Sequence, residues 1–166
     1  MAFAEMSHSR ISNPVDLVED IATRNDWATE RTSAEELTLT VAGQWTDYHV
    51  SLNWRDDLET LHIACAFDAK VPDNRLPEVY RLVAQINEQL WLGHFDVWSN
   101  GGVLLYRHGL MLGDDGLLSP SQAQVAVETA IEECDRFYPV FQFILWGDKS
   151  PAEALAAALV DAAGEA

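Results

Sequence analysis

Three side chains of a kind that binds transition metals fall in two neighbouring predicted strands. His94 and Asp96 share one face of the first strand, and His108 lies in the next strand. Imidazole and carboxylate groups are common zinc ligands, but no HExxH motif and no ligand-rich helix accompanies these residues. Isolated histidines are more often solvated, or hydrogen-bonded for structural reasons. His94, Asp96 and His108 are thus the one set of metal ligands that can be drawn from the sequence. We nevertheless predict that no metal is bound.

Other sequence patterns that carry catalysis are missing. The chain contains no GxSxG elbow, no phosphate-binding glycine loop and no dinucleotide fingerprint. Asn100-Gly101-Gly102 fits a hairpin turn, because no helix follows these glycines. Carboxylates such as Asp56 and Asp57 cluster in predicted loops, where their number does not imply paired acid–base groups. We predict a protein without catalytic residues and without a cofactor.

The charge of the chain restricts its partners. Its 166 residues include 27 acidic and 10 basic ones, for a net charge of −17. Such a surface repels the phosphates of nucleic acids and anionic lipids, so neither is an expected partner. It favours basic or amphipathic segments of other proteins.

Several features predict a cytoplasmic location. No apolar run is long enough to span a bilayer, and the first dozen residues lack the pattern of a secretory signal. Cys65 and Cys134 fall on predicted buried faces and are interpreted as small core residues in a reducing compartment. A redox pair is the alternative for these two cysteines.

Alternating apolar residues predict three strands that each bury one face. The buried sets are Leu37, Leu39 and Val41 in the first strand, Tyr48, Val50, Leu52 and Trp54 in the second, and Leu61, Ile63, Cys65 and Phe67 in the third. Residues opposite one another must share a face. That rule is satisfied by pairing Leu52 with Leu61, Val50 with Ile63 and Tyr48 with Cys65, and it predicts residues 55–58 as the hairpin loop.

Three predicted helices start with a capping side chain followed by a proline, whose missing N–H needs no partner at that position. These starts are Asn13-Pro14, Ser119-Pro120 and Ser150-Pro151. A further helix begins at residue 76 and is expected to end at Gly93. Pro139 is expected to kink or split the helix that begins at Pro120, because the proline ring clashes with the carbonyl of Asp135.

Segregated runs of strands and helices predict an α+β fold, with a mainly antiparallel sheet of five or six strands and helices packed on one face. Two of these strands, residues 94–99 and 103–109, flank the turn at residues 100–102. Residues 13–163 are expected to form one domain and residues 1–12 a flexible N-terminal arm.

One predicted strand is apolar on both faces, at Val103, Leu104, Leu105 and Tyr106. With helices on one side of the sheet only, its second face needs another cover. We interpret this strand as a surface for a second copy or another partner, because it carries more apolar area than a single chain is expected to shield. The alternative is a central strand that the chain's own C-terminal helix covers.

The outward faces of the other predicted strands carry the small side chains Thr38, Thr40, Ala64 and Ala66, and Trp45 falls on the same side by alternation. A flat surface of small residues with one aromatic anchor could accept a helix or an extended peptide. The alternative, to which we give more weight, is a solvated face of an antiparallel sheet.

Several separate blocks of sequence carry a resemblance to a known family. They are Ile86-Asn87 through Trp91-Leu92-Gly93-His94-Phe95, Leu105-Tyr106-Arg107-His108-Gly109, Asp135-Arg136-Phe137-Tyr138-Pro139, Trp146-Gly147 with Ser150-Pro151, Asp47-Tyr48-His49 and Trp54-Arg55-Asp56-Asp57. These blocks occur along the chain in the order found in the bacterial YbjN family, which the sequence resembles, most closely in its alphaproteobacterial branch. The resemblance extends from about Pro14 to the C-terminus.

The resemblance implies the fold of type III secretion chaperones, small acidic α+β proteins that usually dimerise and bind a segment of another protein. Members of the family are often labelled sensory transduction regulators, a name that does not rest on a demonstrated mechanism. The family pattern has no catalytic residues to carry over. Asn87 and Arg107 then take structural roles, the first bonding a neighbouring loop and the second pairing with a carboxylate.

Three functions are open at this point. The first is a non-catalytic regulatory protein that binds other proteins and acts as a dimer through the central hairpin. The second is a secretion-chaperone-like protein that holds an amphipathic or extended segment of a client. The third is an enzyme or metal protein that uses His94, Asp96 and His108, and it ranks well behind.

Overall fold

The computed structural model describes residues 13–112, 117–147 and 150–164. In this part of the chain the helices are α1 (Pro14–Arg24), α2 (Leu76–Asn87), α3 (Pro120–Trp146) and α4 (Pro151–Gly164), and the strands are β1 (Ala28–Arg31), β2 (Glu36–Ala42), β3 (Asp47–Arg55), β4 (Thr60–Lys70), β5 (His94–Trp98) and β6 (Val103–Met111). All six strands form one antiparallel sheet in the order β1-β2-β3-β4-β6-β5. None of these helices combines the length and the apolar character needed to cross a membrane. The predicted α+β class is confirmed, and the predicted arm at residues 1–12 lies outside the described residues.

Alternation along the strands divides the sheet into a core face, which the helices cover, and an open face. Core-face residues such as Leu39, Val50 and Ile63 are buried in one cluster with apolar side chains of all four helices. The buried sets predicted for β2, β3 and β4 all lie in this cluster. Every second residue of a strand faces the core, so the buried face can be predicted from the order of apolar and polar residues along the strand.

The β3–β4 hairpin is shifted by two residues from the predicted register. Leu52 lies opposite Ile63, and Trp54 lies opposite Leu61. A shift of two residues preserves the faces, so the predicted buried set is correct although the predicted partners are wrong. The longer pairing buries Trp54 on the core face. The loop closes through a 3-10 turn that ends at Glu59, whose φ is +49°.

Side-chain caps fix the starts of α1, α3 and α4 as predicted. Asn13 Oδ1 accepts a hydrogen bond from the N–H of Val15 at 2.9 Å. Ser119 and Gln122 form a reciprocal capping box at the start of α3. At α4, Ser150 Oγ accepts from the N–H of Glu153 at 3.3 Å.

Helix α2 ends at Asn87, and the predicted end at Gly93 is wrong. The Asn87 side chain turns to β5, where Nδ2 donates to the Phe95 carbonyl (3.0 Å) and Oδ1 accepts from the Phe95 N–H (2.8 Å). The predicted structural role of Asn87 is confirmed, although its partner is a strand and not a loop. Gly93, at φ +66°, instead lets the connection pass close to β6, because an added Cβ would meet the Tyr106 hydroxyl.

Helix α3 is not split at Pro139 but runs unbroken past it. Proline offers no N–H to the carbonyl of Asp135, the acceptor four residues earlier. Trp45, in the turn between β2 and β3, supplies the donor, because its Nε1 donates to that carbonyl at 3.1 Å. Its ring stacks on Tyr138, with centroids 6.4 Å apart. Trp45 therefore reaches the helix side of the sheet, and its predicted place on the open face is wrong.

The Asp135 carboxylate fastens the same turn to α3. It accepts hydrogen bonds from the Gln44 N–H at 2.9 and 3.0 Å and from the Tyr48 hydroxyl at 2.9 Å. Burial and this carboxylate raise the pKa of Tyr48, so the phenol stays protonated and continues to donate.

Strand β6 is shielded within the single chain, which contradicts the predicted excess of apolar surface. Leu104 and Tyr106 are buried on the core face. Leu105 points to the open face and is nevertheless only 1% exposed. On the core face the helices cover the strand, and on the open face Leu105 lies between Ala66 of β4 and Asp96 of β5. The strand is central, as the alternative interpretation has it, but cover of its second face by the C-terminal helix stays a prediction.

Candidate functional site

An apolar groove of about 310 Å³ lies between the C-terminal end of β6 and the first half of α3. Its aliphatic walls are Leu92, Leu110, Met111, Leu112, Leu117, Leu118, Val125 and Ala126. Polar side chains enter the lining at His108, Gln122 and Thr129. An open apolar cleft with a few polar groups is the usual form of a binding site, so this groove is the candidate functional site.

One side of α3 lines the groove while another side enters the core. Gln122, Val125, Ala126 and Thr129 recur at helical spacing on the groove side. The core side carries Ala123, Val127, Ala130, Ile131 and Cys134. On the groove side, Ala126 is partly buried against the core, whereas Val125 is exposed.

Exposed large apolar side chains are concentrated at the groove. Of the ten that occur among the described residues, four line it, namely Leu92, Met111, Leu117 and Val125. Trp91, which precedes Leu92, is 99% exposed. Single exposed apolar residues are normal on protein surfaces, whereas several of them at one cleft indicate an interaction site.

The sequence analysis did not identify this groove. One signal was present in α3, where the apolar residues Val125 and Ala126 directly precede the core residue Val127 and so extend the apolar surface of the helix beyond its core side. A second signal was the pair Leu117 and Leu118, apolar residues outside any strand or helix. Neither signal shows from the sequence that these residues meet the end of β6 in space.

The groove lies in a strongly acidic part of the chain. Ten of its eleven lining residues come from residues 108–129. Between Arg107 and Arg136 the sequence contains no lysine or arginine, and the groove side of α3 is followed by the carboxylates of Glu132 and Glu133. A cationic group that approaches these carboxylates is attracted to them.

Glu132 and Glu133 continue the groove side of α3 by one turn beyond Thr129. Burial raises the pKa of Glu133 against the opposing effect of Arg136, and the Glu132 carboxylate raises it further. Arg136 Nη1 is 3.7 Å from Glu133 Oε2, a long distance for an ion pair. Negative charge at this end of the groove is therefore only partly compensated.

The structure does not bring together the three side chains of the metal site that can be drawn from the sequence. Because His94 pairs with Arg107 across β5 and β6, His94 and Asp96 lie on the open face, whereas His108 lies on the other side and lines the groove. Asp96 Oδ2 instead lies 3.3 Å from Arg107 Nη1, which confirms the predicted carboxylate partner of that arginine. Within the described ranges, no three His, Cys, Asp or Glu side chains are grouped so that they could hold a metal ion.

The small residues predicted for the open face do lie there. Two rows cross the sheet, one of Thr38, Ser51 and Ala64 and one of Thr40, His49 and Ala66. Val103, half-buried, lies on the same face at the start of β6. Arg107 Nε donates to His62 Nε2 at 3.2 Å, and burial together with the Arg107 charge lowers the pKa of His62. A partner for this face stays a prediction.

The edge strand β5 pairs with β6 only as far as Arg107, and neighbouring side chains occupy three of its backbone groups. Asn87 bonds both the N–H and the carbonyl of Phe95. Asp96 Oδ1 accepts from the N–H of Val97 at 2.8 Å. Blocked backbone groups protect an edge strand from pairing with another strand. Beyond Arg107, where the groove lies, β6 pairs with β4 and not with β5.

Cys65 and Cys134 are free thiols buried between β4 and α3. Burial raises the pKa of the Cys134 thiol, and the neighbouring Cys65 adds to this effect. The thiolate is the reactive form of cysteine, so a raised pKa makes Cys134 a poor nucleophile. Their predicted place in the core is confirmed.

The six-stranded sheet with helices on one face defines an α+β protein with a type III secretion chaperone-like fold. The crystal structure of the ExsC–ExsE complex is similar, with a TM-score of 0.57 and 16% identity over 77% of this chain and 92% of that chain. The crystal structure of E. coli YbjN, described as "a putative transcription regulator", is similar with a TM-score of 0.53 and 13% identity, over 73% of this chain and 85% of that one. Identities this low establish the fold alone.

The family is established by sequence. The family model for YbjN, "Putative bacterial sensory transduction regulator", matches residues 14–143. The chain therefore belongs to the YbjN family, as its sequence blocks predict. No curated protein matches the chain. Membership of the alphaproteobacterial branch stays a prediction.

Proposed function

We propose that this chain is a non-catalytic regulatory protein that binds an amphipathic or extended segment of another protein in the groove beside α3. The observation that carries the proposal is the concentration of exposed apolar side chains at one groove of a chain with a net charge of −17. Membership of the YbjN family supports it. The likeness to ExsC, which was solved in complex with ExsE, supports it at the level of the fold.

The lining of the groove favours binding over catalysis. It is mainly aliphatic, with one imidazole, one amide and one hydroxyl group. Burial lowers the pKa of His108, with a further contribution from His94, so this wall of the groove stays uncharged near neutral pH. Apolar walls of this kind bind apolar side chains. We propose no catalytic residue and no cofactor.

The proposed partner is a protein. The acidic surface opposes nucleic acid and anionic membranes. Two free buried cysteines support a cytoplasmic location, where thiols remain reduced. A secreted partner would give the protein a chaperone role, and a regulatory partner would give it a signalling role.

The proposed homodimer has lost its original basis, because Leu104, Leu105 and Tyr106 are shielded within one chain. Dimerisation stays a prediction that no other feature of the chain supports as directly. Sedimentation velocity at micromolar concentration decides it. A dimer appears at twice the chain mass of 18.5 kDa, and a species at the chain mass alone contradicts it.

Site-specific photocrosslinking in the native cell tests the proposed function. A benzophenone amino acid replaces Val125 in the groove or, as a matched control, Trp146 at the far end of the same helix, both of which are exposed. We expect a defined protein to be crosslinked from position 125 and not from position 146. The crosslink should disappear when Met111→Gln removes an apolar contact. Crosslinks that are equal at both positions, or absent at position 125, would contradict the proposal.

A further inference from the structure

We infer that the groove takes a basic amphipathic helix, whose apolar side chains enter the groove while its positive charges lie against Glu132 and Glu133. This assignment of the partner rests on the proposed function and specifies the chemistry of the same site.

The apolar part of the groove selects a segment with apolar side chains on one face. Leu110 and Leu112 form one wall and Val125 and Ala126 the other, with a volume of about 310 Å³ between them. That space fits a few aliphatic side chains at a time. A helix supplies such side chains at the third and fourth residues along one face, in the same way that α3 supplies its own.

The apolar lining of the groove favours a helix over an extended segment. The edge strand β5 pairs with β6 only as far as Arg107, and the N–H groups of Phe95 and Val97 are occupied by the side chains of Asn87 and Asp96. An extended segment between the aliphatic walls would place its own polar backbone against apolar side chains. A helix satisfies its backbone internally, so it loses nothing by packing against aliphatic side chains.

The carboxylates at the end of the groove favour a partner segment with a positive charge. Glu132 is exposed at the end of the groove stripe, and the guanidinium of Arg136 lies 3.7 Å from Glu133 beside it. Lysine or arginine on a bound helix, one turn beyond its apolar anchors, would lie against these carboxylates. In the sequence, no lysine or arginine occurs from residue 108 to residue 135.

A second copy of the chain is a poor occupant for the same reason. Each copy carries a net charge of −17, so two copies repel each other at long range. The groove therefore favours a partner of opposite charge over self-association.

The test uses three labelled synthetic peptides and fluorescence anisotropy. The first peptide contains leucine and lysine, with leucine at helical spacing. The second has the same composition but strict alternation, as in a strand. The third keeps the helical spacing and replaces lysine by glutamate. We expect the first peptide to bind at least about tenfold more tightly than the other two, and its affinity to fall as salt increases.

Variants of the protein locate the binding. Met111→Gln with Val125→Asn removes apolar contacts without adding charge, and Glu132→Gln with Glu133→Gln removes only charge. We expect each double variant to weaken binding of the leucine–lysine helix by about tenfold, and only the second to reduce its salt dependence. Trp146→Gln, a change at an equally exposed apolar residue outside the groove, should leave the affinity unchanged. Circular dichroism confirms that each variant is folded.

Three outcomes would overturn the inference. They are equal binding of the three peptides, no binding of any of them, or binding that both double variants leave intact. If the alternating or the acidic peptide binds more tightly and the groove variant abolishes that binding, the helix assignment fails while the proposed function stands. If, in addition, position 125 yields no crosslinked partner in the cell, the proposed function fails as well.

Discussion

Asp135 joins the sheet to α3 through both its backbone and its side chain. Pro139 leaves the Asp135 carbonyl without its helical donor, and Trp45 supplies a replacement from the β2–β3 turn. The carboxylate binds Tyr48 and the backbone of Gln44 at the same place. Trp45, Tyr48, Asp135 and Pro139 thus form one unit, and an aromatic residue that resembled a partner anchor is structural.

Replacing Trp45 tests this unit. Trp45→Phe keeps an aromatic ring but removes the N–H donor, so the Asp135 carbonyl has no protein partner. We expect the free energy of unfolding to fall by about 1–2 kcal/mol, measured by denaturant unfolding. Pro139→Ala restores the helical donor, and Trp45→Phe should cost less in that background. Equal costs in the two backgrounds would show that the indole does not replace the missing helical bond.

Single residues also set the pH dependence of stability. Burial lowers the pKa of His62 and of His108, assisted by Arg107 at the first and by His94 at both. The unfolded chain therefore binds protons at a higher pH than the folded chain, with unfolded histidine titrating near about pH 6.5. The stability that the neutral rings contribute is present above that pH and is lost as the pH falls below it. Glu133, whose pKa burial raises, acts in the opposite direction at lower pH.

The double variant His62→Gln/His108→Gln measures this effect. We expect its melting temperature to fall less than that of the natural chain between pH 7 and pH 5.5, because two groups that protonate on unfolding are removed. Differential scanning calorimetry across this range provides the comparison. Parallel pH curves for the two proteins would mean that the burial of these rings does not affect their titration.

At the scale of elements, the sequence predicts what is local and misses what depends on distant partners. Alternation predicts the buried faces of β2, β3 and β4, because the apolar residues along each strand are the ones that become buried. It does not predict the β3–β4 register, since a shift of two residues preserves every face, and the burial of Trp54 decides between the alternatives. The partner of Trp45 lies 90 residues along the chain, beyond any local pattern. The groove was missed for the same reason, because β6 and α3 form it together.

The role of Asn87 in protecting the edge strand β5 from pairing with another chain can be tested by substitution. Asn87→Ala removes both hydrogen bonds to Phe95 and leaves its N–H and carbonyl unpaired at the edge of the sheet. We expect a loss of about 2 kcal/mol in the free energy of unfolding, together with self-association that increases with concentration. Denaturant unfolding and sedimentation velocity measure the two effects.

Asn87→Asp is the matched control for the edge. It keeps an acceptor for the Phe95 N–H but sets its second oxygen against the Phe95 carbonyl, so the ionised variant should be destabilised at pH 7 and should regain stability relative to Asn87→Ala at acidic pH, where the protonated carboxyl donates. An alanine variant that is as stable and as monodisperse as the natural chain would show that other groups protect this edge.

At the scale of the whole molecule, the chain buries its own core and leaves an apolar groove open. The two-sided strand β6, which indicated a missing partner in the sequence, is covered by its neighbours and by the helices. Four of the ten large apolar side chains that are exposed among the described residues line the groove. The proposed surface for a partner is thus separate from the surface that the apolar strand indicated.

Chemical-shift mapping of the ¹⁵N-labelled protein with the leucine–lysine helix compares these two surfaces in one experiment. We predict that the amide signals that move on titration belong to residues 110–112 and 122–133, around the groove. Shifts confined to Thr38, Thr40, Ala64 and Ala66 on the open face, with the groove signals unchanged, would contradict the account.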